Sequence, residues 1–137
     1  MMAQLHDNGR GSVMALRFNP KHKTKMRVAL SGGKVGGKFG GVVERYDVKT
    51  NSCDSETLVE GGQTLALDYD PKGESYAAGG ADPQTPEHRG HAVRIYDESR
   101  GGDCKMRMGD ATAPGHSNRI MCIRFKSSNQ IASASLD

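Results

Sequence analysis

Gln63-Thr64-Leu65-Ala66-Leu67-Asp68-Tyr69-Asp70-Pro71 alternates apolar side chains with polar or small ones, and its aromatic residue comes just before a turn signal. That period of two marks a strand with one face in a core. The same run stands upstream as Val13-Met14-Ala15-Leu16-Arg17-Phe18-Asn19-Pro20 and downstream as Ile120-Met121-Cys122-Ile123-Arg124-Phe125. Phe18, Tyr69 and Phe125 are therefore equivalent. Each run leads through a turn into a small-residue run: Arg27-Val28-Ala29-Leu30-Ser31-Gly32-Gly33, then Ser75-Tyr76-Ala77-Ala78-Gly79-Gly80-Ala81-Asp82, then Gln130-Ile131-Ala132-Ser133-Ala134-Ser135-Leu136-Asp137. Small side chains there let neighbouring sheets approach closely.

The first two units add a third strand, Gly41-Val42-Val43-Glu44-Arg45-Tyr46-Asp47 and His91-Ala92-Val93-Arg94-Ile95-Tyr96-Asp97, each ending in Tyr-Asp. A fourth, less regular strand is expected near Ser55 to Val59 and near Cys104 to Met108. The repeats then run from about 12 to 59, about 63 to 108 and, incomplete, about 115 to 137, within the period expected of a propeller blade. No segment has helical periodicity longer than two turns, so the fold class is all-β.

At this point the chain resembles the WD-repeat (WD40) β-propeller family, in which Gly-His opens a blade, a small-residue strand leads to Asp, and a third strand ends in Trp-Asp. The third unit matches best, with Gly115-His116, Ser133 or Ser135, and Asp137. The resemblance implies a structural tetrad of His, Ser or Thr, Asp and Trp that ties the strands of a blade together. The chain has no Trp. Tyr46-Asp47 and Tyr96-Asp97 stand at the Trp-Asp positions, and Asp82 stands where the third unit has Asp137. The resemblance implies four-stranded antiparallel blades in a partial propeller. Closed rings take about 4 to 8 blades of about 40 to 45 residues, so completing one requires further blades or further chains. Some members serve as substrate receptors of ubiquitin ligases and carry Arg one residue after Trp-Asp. Lys49 and Ser99 occupy that place here and lend the role no support.

The chain has 137 residues, 35% hydrophobic, 5% aromatic and 26% charged, which fits one domain or a piece of one. No apolar run approaches the roughly 18 residues of a membrane span, and Met1 to Arg10 has no apolar segment of the secretory type. A cytosolic or nuclear setting is the expectation. Cys53, Cys104 and Cys122 are widely spaced without a Cys-x-x-Cys pair and are expected to be reduced and buried. The charge is uneven, since residues 1–50 carry 10 Lys and Arg against 3 Asp and Glu.

Three motifs bear on chemistry. Gly32-Gly33-Lys34-Val35-Gly36-Gly37-Lys38-Phe39 follows the first part of a phosphate-binding loop, Gly-x-x-x-x-Gly-Lys. Phe39 replaces the magnesium-binding Ser or Thr, and a strand rather than a helix follows, so the plainer expectation is an extended loop. Asp82 to His91 forms a second long loop at the equivalent place. In a propeller both emerge on one face, which makes Lys34, Lys38, Phe39, His88 and Arg89 candidate partner contacts. Lys21-His22-Lys23-Thr24-Lys25 projects from the opposite face, where clustered lysines attract phosphate without reading sequence. Ser, His and Asp close together in the third unit also suggest a hydrolase triad, but the Gly-x-Ser-x-Gly elbow is absent. His88 and His91 lack a third ligand nearby, so no metal is expected, and no cofactor.

The expected function is a non-enzymatic scaffold that binds other proteins within a complex, with no membrane partner. The alternatives are a phosphate or nucleotide binder using Gly32 to Lys38, and a basic nucleic-acid module using Lys21, Lys23 and Lys25.

Overall fold

The computed structural model describes residues 11–87, 89–100, 103–109 and 112–137. Among the described residues the alternating runs become ten strands: β1 (Val13–Phe18), β2 (Lys25–Val35), β3 (Lys38–Asp47), β4 (Ser52–Glu60), β5 (Gln63–Tyr69), β6 (Ser75–Ala81), β7 (Val93–Asp97), β8 (Cys104–Met108), β9 (Ile120–Ser127) and β10 (Gln130–Ser135). Among the described residues there is no helix. The strands form three antiparallel sheets, ordered β1-β2-β3-β4, β5-β6-β7-β8 and β10-β9. The aromatic positions share one register, with Phe18 opposite Met26, Tyr69 opposite Tyr76 and Phe125 opposite Ile131. The two Tyr-Asp strands agree as well, since Tyr46 lies opposite Met26 and Tyr96 opposite Tyr76.

The period of two sends alternate side chains to opposite faces, and the sheets stack through those faces. Ala29 and Val43 of the first sheet pack with Leu67, Tyr69, Tyr76, Ala78 and Tyr96 of the second. The reverse face of the second sheet sets Ala66, Ala77 and Val93 against Ile120 and Ile123 of the third. The small residues of β6 permit this approach: a side chain at Gly79 would meet Ile123 and Ile120 at 3.0 and 3.1 Å. The outward face of the first sheet has its own cluster of Met26, Val28, Leu30, Val42 and Tyr46. The three sheets do not close into a barrel.

Several local expectations are corrected. The Gly32 to Phe39 segment is not an extended loop. β2 continues to Val35, β3 begins at Lys38, and Gly36-Gly37 makes the two-residue turn between them with φ of 57° and 85°. Positive φ at both positions suits glycine and gives the twist a hairpin needs. Cys53 and Cys104 are exposed and Cys122 is half-buried, because all three lie on edge strands or the outer faces of the end sheets. No helix among the described residues is long and apolar enough to cross a membrane.

Candidate functional site

His116 lies between two partners in the third unit. Its Nε2 is 2.9 Å from Ser133 Oγ, and its Nδ1 is 3.2 Å from each oxygen of Asp137. β10 positions Ser133, and the segment entering β9 positions His116 through a two-way backbone bridge to His91, with N···O distances of 2.8 and 3.0 Å. Gly115 makes the bridge possible, because a side chain there would stand 2.2 Å from the His91 carbonyl oxygen. The Ser117 N–H donates to Asp137 at 2.8 Å. That bond, joined by the Ser135 and His116 contacts, outweighs slight desolvation and holds the Asp137 carboxyl down at about 2. Of the two candidate serines, Ser133 meets the imidazole, while Ser135 donates to the Asn118 carbonyl at 2.9 Å.

Ser133, His116 and Asp137 therefore have the hydrogen-bond order of a hydrolase triad. In the Gly-x-Ser-x-Gly elbow the serine sits at a sharp turn with backbone N–H groups gathered to stabilise an oxyanion. Ser133 instead lies within a strand, in ladder register with Ile123. What the arrangement does is satisfy three polar side chains at the mouth of one hairpin.

The second unit solves the same problem with other residues. Asp82 is buried and accepts the Ala92 N–H at 2.6 Å and the Arg94 guanidinium, with Arg107 at 3.6 Å. Its own N–H donates to His91 Nδ1 at 2.8 Å. Arg94 and Arg107 were not among the candidate residues read from the sequence, and His91 was weighed there only as a metal partner of His88. The only available signal was that a buried Asp82 needs a counter-charge, and Arg94 alternates onto its side of β7.

The Tyr-Asp pairs are brought into separate environments. Tyr46 donates to Asn51 at 2.6 Å, and Asp47 pairs with Lys25 at 3.0 Å. Tyr96 stacks on Tyr76 with centroids 5.1 Å apart, and burial pushes its phenol well above the ordinary range. Asp97 lines a cleft of about 580 Å³ with Lys21, His22, Lys25 and Glu98. On this face the lysine cluster is partly neutralised, since Lys25 bridges Asp47 and Asp54 and its pKa is raised by those hydrogen bonds. Asn19 caps the backbone N–H groups of Lys21 and His22, and its side-chain amide donates to the Gly73 carbonyl, in the turn between β5 and β6, at 3.1 Å.

The candidate contact residues sit at the other end of the strands. Lys34 lies 5.3 Å from the Phe39 ring centroid, with Phe39 68% exposed, and Lys38 pairs with Glu60. Arg89 is exposed in the loop before β7, while His88 lies outside the described residues. Glu44, Cys53 and Glu56 bring ligand atoms within 4.8 Å of one another on β3 and β4, though all three engage other groups as well. No protein-family model matches the chain, and a search of curated proteins finds no match.

Proposed function

We propose that this chain is part of a WD-repeat-type β-propeller, a non-enzymatic scaffold that binds other proteins through the loops and edges of its sheets. The observation that carries the reading is repetition. Two unlike sequences about 50 residues apart form the same four-stranded meander in the same register, and a third sheet stacks on them in chain order. The His116 contacts to Ser133 and Asp137 lend support, because they match the residues that the family resemblance nominates. The Gly36-Gly37 hairpin favours presentation of Lys34, Lys38 and Phe39 to a partner over a phosphate cradle, since strand stands on both sides of the turn and no helix N-terminus follows.

The test uses magnesium-ATP and a single-stranded oligonucleotide as probes in calorimetry. The scaffold reading expects neither to bind, and Lys38→Ala to change nothing. Saturable ATP binding lost in Lys38→Ala would replace it with the nucleotide reading. Oligonucleotide binding that falls steeply with salt and disappears when Lys21, Lys23 and Lys25 are neutralised would replace it with the nucleic-acid reading.

A further inference from the structure

Asp82 is well provided with partners, but the two guanidinium groups that share it are not. Arg94 and Arg107 stand directly opposite each other on β7 and β8, where like charges repel. Among the described residues Asp82 is the only carboxylate paired with either. Arg94 holds its Oδ1 directly, while Arg107 Nη2 stays 3.6 Å from Oδ2, an oxygen already taken by the Ala92 N–H. The Arg107 Nε and both Nη atoms are buried without a hydrogen-bond acceptor, so five N–H donors have left water with nothing in its place. A buried charge in that state is costly until an acceptor arrives.

Arg94 also lines a cleft of about 420 Å³ between the first and second sheets. β4 supplies Leu58 and Val59 to its wall, β7 supplies Tyr96, and the loop after β6 supplies Pro83. That volume is within the range of small-molecule sites, where an apolar wall and a few placed polar groups are the usual combination. Glu60 lies at the rim and is paired with Lys38 at 3.2 Å, so its charge is already met. We propose that this cleft binds a small organic monocarboxylate, with its apolar body against Leu58, Val59 and Tyr96 and its carboxylate on Arg94. Arg94 turns from Asp82 to the ligand, and Arg107 closes the 3.6 Å gap to take Asp82 in its place. Each guanidinium then has a carboxylate, which the unliganded site cannot provide. A carboxylate suits the planar guanidinium fork, and its single charge cancels the excess of two cations over one anion. The inference stands apart from the scaffold reading, because both sheets that form the cleft are complete four-stranded units.

The probe is benzoate, titrated into the whole chain and followed by calorimetry and by NMR of the arginine Nε–H signals, with neutral benzamide as the control. The expected result is saturable benzoate binding that shifts the Arg94 and Arg107 Nε–H signals and the Val59 methyls, with no binding of benzamide. Arg94→Gln should weaken benzoate about tenfold or more, as for loss of a charge-assisted pair. Arg107→Met should weaken it about tenfold, because Arg94 then stays with Asp82, and thermal unfolding should show this variant to be no less stable than the unaltered chain. Thr85→Glu, an exposed substitution beside the cleft, should weaken binding several-fold while leaving both arginines in place. Absence of benzoate binding at tens of millimolar overturns the proposal, as do shifts confined to Lys21, Lys23 and Lys25. Equal binding of benzamide also overturns it, making the cleft merely apolar. A marked loss of stability in Arg107→Met contradicts the unpaired state on which the proposal rests.

Discussion

The two interfaces between sheets both have an apolar centre but differ in what surrounds it. Between the second and third sheets the contact is made by Ala66, Ala77, Val93, Ile120 and Ile123, all buried. Between the first and second, an apolar centre of Ala29, Val43 and Leu67 is flanked by a buried charge. The Arg27 side chain is 0% exposed, lies 4.3 Å from the Tyr76 ring centroid, and donates to Glu98 at 3.1 Å and Ser55 at 3.2 Å. Arg45 joins the same carboxylate at 3.4 Å and the Glu98 carbonyl at 3.2 Å. Thr57 meets the Tyr76 hydroxyl at 2.9 Å. Stacking is thus a property of the repeat, while what fills the gap is free to vary. An apolar filling is tolerant, and a buried ion pair is exacting, because one partner without the other costs more than the pair is worth.

The largest expected effect comes from splitting that pair. Glu98→Ala strands Arg27 without its carboxylate and should lower stability by about 3–5 kcal/mol in urea denaturation. Replacing both Arg27 and Glu98 by Met should recover most of the loss, and a double variant as weak as Glu98→Ala would show that the comparison misplaces the cost. At the apolar interface Ile123→Ala should cost about 3 kcal/mol through the cavity it leaves, with amide exchange rising in β9 and β10 before β2 and β3. Gly115→Ala forces the His91 carbonyl away and should cost about 2 kcal/mol, read as loss of protection at the His91 and His116 amides. Ser133→Ala should cost about 1 kcal/mol and Ser135→Ala less. Neither should alter hydrolysis of a simple aryl ester, and loss of such activity in Ser133→Ala alone would restore the triad reading. The smallest effect is acidic. Asp137 has its carboxyl pulled down from the ordinary 3.8 to about 2, so its contribution is complete above pH 3.8 and is lost as pH falls toward 2. An NMR titration of the Ser117 amide should follow that window.

Strand positions were legible because alternation and an aromatic end recur three times, and the register of Phe18, Tyr69 and Phe125 follows from them. His116, Ser133 and Asp137 were legible as a set through the family resemblance, though nothing local distinguished Ser133 from Ser135. The Gly36-Gly37 turn was obscured by its overlap with a phosphate-loop pattern, although two glycines between alternating runs are themselves a hairpin signal. Arg27 and Glu98 were out of reach. They stand 71 residues apart in sequence, and only the stacking of two sheets brings them together. The exposed cysteines were misread because a strand pattern does not say which sheet face meets a neighbour.

The central claim is that each repeat folds as its own antiparallel sheet and that successive sheets stack without sharing strands. Cross-strand NMR contacts between α-protons and amides test it most directly. The account predicts contacts linking Met26 with Tyr46 and Tyr76 with Tyr96, contacts from the Ile123 δ-methyl to the Gly79 α-protons, and no ladder between β4 and β5. A continuous ladder joining β4 to β5 would make one sheet of two repeats and contradict it.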